Sequence, residues 1–377
     1  MKVDFFKHNV SEKDISRVHT ILHDAFLTTG KEVKTFEDLL ASYLGTDNCV
    51  GLTSCTAALH LSLLAHNIGA GDEVITTPMT FIATSNAILF TGASPIFVDV
   101  EPETGLIDVS NIEAAITPKT KAIIPVHLYG QMCDMKAIRK LADKHDLIII
   151  EDCAHAIESN RDGIRPGQLG DIACFSFYAT KNITSGEGGA VATNSKALAN
   201  KIKLLRMHGM SASAADRYTS NYRHWDMELL GWKYNMFNIQ AALLIEQIAR
   251  IDKLLEKREE ICKRYEEGLA GVEAINMPKL CTNSKSARHL FTVWVDPSRR
   301  DQILEQLQKD GIGVAVNYRA VHLLKFYRET FDYKEGTFSN AERIGGSTIS
   351  IPLYPKLENE EIDYVIKSLI QATSQPS

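Results

Sequence analysis

Lys181 stands in SFYATKNITSGEGGAV, residues 176–191, among Ala179, Thr180, Ser185, Gly186 and Gly188. A lysine becomes a nucleophile when its surroundings lower its pKa, so that neutral amine can attack a carbonyl; otherwise a loop lysine is a solvated cation. Asp152 follows the run Leu-Ile-Ile-Ile-Glu, 147–151. A carboxylate at the end of a buried strand is costly unless it meets a cation or several donors. Asp152 therefore either caps the next turn or keeps a ring nitrogen protonated. Thr53-Ser54-Cys55-Thr56 precedes a helical stretch, where unpaired N–H groups and hydroxyls make either an ordinary N-cap or a phosphate seat. Phe81, in TPMTF, either packs in a core or offers its ring to a flat ligand.

A phosphate seat, a strand-end aspartate, an aromatic plate and a lysine among small residues together match the needs of pyridoxal 5′-phosphate (PLP). On that reading Lys181 bonds the aldehyde carbon and then shuttles a proton, while Asp152 keeps the ring charged. Rival chemistries have less behind them. There is no GxxxxGK[ST], and no GxGxxG follows a strand, so neither a Walker loop nor a nicotinamide-binding half is expected. Cys153 and His155 would fall on one side of an extended segment after Asp152, but nothing supplies further ligands for a metal. Seven cysteines without a CxxC pair form neither a disulfide framework nor a zinc site.

The elements that must hold these groups follow from the apolar pattern. Strands are expected at 73–76, 96–100, 122–126, 147–151, 173–177 and 189–193, with helices at 56–68, 82–91 and 134–145 between them. Nearly all-apolar strands separated by helices imply an α/β, doubly wound, mostly parallel sheet covered on both faces. Such sheets bind ligands at the carboxyl ends of their strands, where Thr76-Thr77, His127, Glu151-Asp152 and the stretch from Ser176 to Lys181 fall. Residues 209–228 are polar and aromatic without a period, too long for a plain connector. A long helix is expected over 238–268. Strand, helix, strand and helix then follow at 288–296, 301–310, 313–318 and 359–373. This divides the chain into a large domain, 1–250, and a smaller α+β C-terminal domain, 251–377.

Composition agrees with a two-domain globular chain: 377 residues, 45% hydrophobic and 23% charged. The net charge of −6 is spread along the chain, which disfavours nucleic-acid and membrane-surface partners. The odd cysteine number suggests a reducing compartment. MKVDFFKHNVSEKD has no signal-like apolar run, and no apolar stretch reaches about 18 residues. A soluble, cytoplasmic protein is expected.

The sequence also resembles the DegT/DnrJ/EryC1/StrS family of PLP-dependent sugar aminotransferases. The likeness runs through FLTTGKEVKTFE, LTSCTAALHLSLLA, GDEVITTPMTFIATSNAI, PIFVDVEPETGLID, VHLYGQMCDM, IIEDCAHA, GDIACFSFYATKNITSGEGG, GWKYNMFNIQAALL, VNYRAVHLLKFYRE and SIPLYP. It implies the fold type I architecture. By matching position, Lys181 is the Schiff-base lysine and Asp152 the partner of the pyridine nitrogen. Phe81 stacks on the ring, and Cys55, Thr56 and Ser176 bind the phosphate, although many members have glycine where Cys55 stands. His155 lies near the cofactor's 3′ oxygen. GWKYNM departs from the commoner GYNYRM. Lys233 replaces an asparagine that reaches the neighbouring subunit's phosphate, as in the subgroup resembling the enzyme that makes UDP-4-amino-4-deoxy-L-arabinose.

The resemblance thus implies a homodimer with its site shared across the interface. Tyr318, His322 and loop 209–228 are candidates for the sugar-nucleotide side. The implied reaction is a ping-pong transamination from L-glutamate to C4 of a nucleotide-linked 4-keto-6-deoxy sugar, for a cell-surface glycan such as lipopolysaccharide O-antigen. Amination at C3 of a 3-keto sugar is the alternative. A sugar 3-dehydratase relative would carry histidine in place of Lys181, and a non-catalytic regulator would be expected to lose Lys181 or Asp152.

Overall fold

Short apolar runs build a seven-stranded sheet in the computed structural model, which describes residues 1–24, 26–211 and 224–374. In chain order the strands are β1 (Asn48–Leu52), β2 (Glu73–Thr76), β3 (Ser94–Phe97), β4 (Thr120–Ile123), β5 (Ile148–Asp152), β6 (Asn160–Arg161), β7 (Ile172–Ser176) and β8 (Gly189–Thr193). The sheet runs β1-β8-β7-β5-β4-β2-β3, with β6 outside it. β2 and β8 coincide with the expected spans, and the other four strands expected before residue 194 lie within three residues of the observed ones. β1 is not among the expected strands.

Most of the sheet is parallel, as its unbroken apolar strands imply: β2 pairs so with β3 and β4, β4 with β5, and β5 with β7. β8 is antiparallel to both β7 and β1. The reason is local: no helix intervenes between β7 and β8, so the chain turns back and pairs Ser176 with Gly189. Lys181 sits in that turn-back. The helix Cys55–Ala65 is apolar all round, with Leu59, Leu61 and Leu63 wholly buried, because it lies between the sheet and neighbouring helices.

The expected helix over 238–268 is two helices, Asn238–Ile248 and Ile251–Gly268. At the break, Arg250 forms an ion pair with the wholly buried Asp14. The helix Ile251–Gly268 brings Ile251 to the core under the sheet, and Ile261, Cys262 and Tyr265 to a second core. That second core packs β10 (Phe291–Trp294) against β11 (Thr348–Ile351) and the helices Arg300–Lys309 and Asn359–Ser374; β9 (Ser284–Lys285) pairs with β6 instead. Residues 313–318 are not the expected strand. They make only an isolated bridge, Ala315 to Ser350, while the beginning of the chain takes the neighbouring donors and acceptors: Val3 N–H bonds Gly311 O, and Gly313 N–H bonds Val3 O. Val3 is thereby buried in the second core. Among the described residues no helix is long and apolar enough to cross a membrane.

Candidate active site

The site is assembled where β7, β8 and the start of the helix Cys55–Ala65 meet. A Cβ built on Gly189 would lie 2.2 Å from the carbonyl carbon of Ser54, so only glycine lets the helix start come this close to β8. Ser54 caps the helix, its Oγ accepting from Ala57 N at 3.1 Å and its carbonyl from Ala58 N. The N–H groups of Cys55 and Thr56 are left without intrahelical acceptors and are available to an anion. They face a cavity of about 540 Å³ whose wall includes Cys55, Thr56, Phe81, Asp152, His155, Ser176, Lys181 and Tyr318. Eight of the ten residues singled out from the sequence therefore meet in one place.

Asp152 is buried at the end of β5. Its Oδ2 accepts from Thr84 Oγ1 at 2.8 Å and its Oδ1 from Ala154 N at 3.1 Å. Burial raises its carboxyl above the usual range, against the lowering pull of these two donors, Lys181 and His127. It has no ion pair among the described residues, so a protonated ring nitrogen would supply the missing counter-charge. Lys181 is partly buried. Burial brings its ammonium down to about 8, against the raising influence of Cys55 and Asp152, so neutral amine is accessible near neutral pH. Phe81 is exposed at the cavity mouth, its ring centroid 5.8 Å from that of Tyr318. Ser176 ends β7 with its hydroxyl on the same wall.

His155 is held by two bonds. Its Nδ1 accepts from Tyr129 N at 3.3 Å, so the neutral ring carries its proton on Nε2 and donates to Tyr318 Oη at 3.0 Å. Burial, reinforced by Lys181, keeps the ring neutral. Behind Asp152, His127 Nε2 bonds Glu151 Oε2 at 2.9 Å, while Glu151 Oε1 accepts from Gly167 N and Gly170 N. His127, Glu151 and Cys153 lie close enough to share a metal, but His127 Nδ1 also accepts from Cys133 N, so the histidine and carboxylate are spent on internal bonds.

Two sequence candidates lie elsewhere. His322 is corrected: its side chain is wholly buried, with Nε2 2.9 Å from Glu342 Oε1 and its ring 4.8 Å from that of Phe338. That burial excludes a direct contact with a ligand in the cavity. Lys233 is exposed on the bridge to Met207, its Nζ 3.9 Å from Met207 Sδ, and is not in this cavity's wall. Of loop 209–228, residues 212–223 lie outside the described residues. Its ends are tied by Ser211 N to Asp226 O and Glu228 N to Gly209 O. Sequence reasoning missed His289, whose Nε2 lies 3.4 Å from Lys181 Nζ. The signal was a histidine just before an apolar strand, in RHLFTVWV. It also missed Phe5, which lines the cavity from the N-terminal segment.

The residues fit PLP: an uncommitted helix start and a hydroxyl for its phosphate, an unpaired buried carboxylate for its ring nitrogen, an aromatic for its face and a lysine of lowered pKa for its aldehyde. A family model described as the DegT/DnrJ/EryC1/StrS aminotransferase family matches residues 8–370. The chain is 40% identical to the spore coat polysaccharide biosynthesis protein SpsC of Bacillus subtilis over 366 residues, 96% of this chain and 94% of SpsC. Among solved structures it is similar to S. venezuelae DesV, at 33% identity and a TM-score of 0.92 over 100% of each chain. It is also similar to the PLP form of Spr1654 from Streptococcus pneumoniae, at 31% identity and a TM-score of 0.92, covering 99% of each chain.

Proposed function

The chain belongs to the DegT/DnrJ/EryC1/StrS aminotransferase family, and from that premise we propose that it moves an amino group from L-glutamate to C4 of a nucleotide-linked 4-keto-6-deoxy sugar. It is a fold type I, PLP-dependent sugar aminotransferase. The observation that carries the site assignment is the convergence of Lys181, Asp152, Phe81, Thr56 and Ser176 on one cavity. The preference for C4 rests on GWKYNM, with Lys233 in the asparagine position.

PLP supplies an electron sink for the substrate's α-carbon when bound. The N–H groups of Cys55 and Thr56 and the Ser176 hydroxyl bind its phosphate. Asp152 Oδ holds the proton on the ring nitrogen, with Thr84 and Ala154 fixing the carboxylate's orientation. Phe81 covers one face of the ring. Lys181 Nζ would hold the aldehyde and, once released as neutral amine, would move the proton between the cofactor and the substrate's carbon in each half-reaction. The bond from His155 to Tyr318 fixes both groups in the wall beside it. The position of Lys233 outside its own chain's cavity supports a contact with a second copy, as a cytoplasmic homodimer sharing its sites would make. The name of SpsC supports a polysaccharide as the destination of the product, and lipopolysaccharide O-antigen is our choice within that class.

The test is turnover of UDP-, dTDP- and GDP-linked 4-keto sugars with L-glutamate, the aminated carbon being located by NMR. Amine at C4 is expected, abolished in Lys181→Ala. Equal or greater turnover of 3-keto sugars would overturn the C4 assignment.

A further inference from the structure

We propose that His289 is a positioning residue for Lys181, its bare Nε2 accepting a hydrogen bond that steadies the lysine while it carries the substrate's proton. The inference rests on the reading of Lys181 as the proton-carrying amine. The tautomer of His289 is fixed by Asn182. Asn182 Nδ2 donates twice, to Glu158 Oε2 at 2.8 Å and to Ala287 O at 2.9 Å, which fixes the amide's orientation. Asn182 Oδ1 therefore faces His289 Nδ1, at 3.0 Å, as an acceptor. The ring proton must lie on Nδ1, leaving the Nε2 lone pair toward Lys181 Nζ at 3.4 Å.

The far end of the relay is clamped. Arg258 is buried and pairs with Glu158 Oε1, and its Nε bonds Ala287 O at 3.3 Å. Arg258, Glu158, Asn182, His289 and Lys181 thus form one connected set in which every member's orientation depends on the next. His289 stays neutral: burial disfavours its charged form, and Lys181, His155 and Arg258 add to that effect. The charged and titratable groups facing the pair are Asp152 and Cys55 beside Lys181, His155 4.4 Å from the His289 ring, Arg258 behind it, and Lys7 and His8 across the small pocket that Lys181 and His289 share.

A neutral acceptor suits the chemistry. His289 is the one hydrogen-bond partner of Lys181 Nζ among the described residues. A carboxylate there would hold the lysine protonated, and no acceptor at all would leave a buried ammonium unsatisfied. The proton balance closes within each half-reaction. Neutral Lys181 would take one proton from the carbon that loses it, point one N–H of the resulting ammonium at Nε2, and return a proton within the same half-reaction, the substrate's carbon losing it in the first half and gaining it in the second. His289 gains and loses none.

The experiment compares His289→Leu, His289→Gln and His289→Asn with wild type. In protein freed of cofactor, Lys181 is reductively methylated across a pH series and quantified by peptide mass spectrometry. Losing the acceptor is expected to lower the lysine's apparent pKa by about one unit in His289→Leu. His289→Asn, too short to reach Nζ, should match it, and His289→Gln should restore the wild-type value. With PLP, His289→Leu should lose about tenfold or more in kcat with the glutamate KM changed less than about twofold, and show a larger isotope effect with α-deuterated glutamate. An unchanged or raised Lys181 pKa in the Leu and Asn variants, or a loss confined to KM, would overturn the role. Wild-type protein that methylates normally but does not transaminate would overturn the proposed function instead, while the methylation series still decides the hydrogen bond.

Discussion

Lys181 and Asp152 are both held against their solution preferences, and each should reveal this without its ligand. With its folded pKa below the ordinary 10.5, Lys181 costs stability in full below about pH 8, and that cost is relieved as pH rises from about 8 to 10.5. Lys181→Met should therefore stabilise the cofactor-free protein by about 1–3 kcal/mol at pH 7, the gain vanishing by about pH 10.5, as urea denaturation would register. No gain at pH 7 would contradict the lowered pKa. Asp152→Asn removes a buried carboxylate with no cationic partner. Cofactor-free protein should tolerate it, whereas kcat with PLP should fall by about a hundredfold or more, measured by steady-state turnover. Both residues were legible in the sequence because strand-end acids and lysines among small residues are chemically unusual. His289 was not, because nothing near residue 289 announces a partner 108 positions away.

At the scale of elements, the turn-back between β7 and β8 and the helix start at Ser54 depend on one small residue. Gly189→Ala would drive a methyl into Ser54, its carbonyl carbon at 2.2 Å and oxygen at 2.4 Å, with Cys55 N at 2.6 Å. The helix start must move away from β8, costing about 1–3 kcal/mol and weakening PLP binding by about tenfold or more. Denaturation and PLP titration of the variant measure the two effects; wild-type affinity would show that the close approach does not set the phosphate seat. Apolar runs located β2 and β8 residue for residue, since both strands are buried and bounded by polar turns. Periodicity overran at 238–268, where the break is set by Arg250 reaching Asp14, a contact without local trace. It also overstated 313–318, whose neighbouring backbone partners are supplied by the start of the chain.

At the scale of the whole molecule, Lys233 separates one-chain from two-chain sites. If it serves a second copy, Lys233→Ala and Lys181→Ala homodimers should both be impaired. Mixed dimers of the two should recover activity, because one of their two sites combines an intact Lys181 with the other chain's intact Lys233. Activity of co-purified, differentially tagged chains tests this, and no recovery would assign Lys233 to its own subunit. The sequence by itself determined the α/β class, the place of six of the seven sheet strands along the chain, the chemical types at the site and the family resemblance. These follow from local polarity, apolar runs and motif order. Tertiary structure decided that β8 runs against its neighbours, that His322 is buried out of reach, and that His289 and Phe5 join the site. These are contacts between distant segments, selected by packing and hydrogen-bond satisfaction across the folded chain rather than by neighbours in sequence.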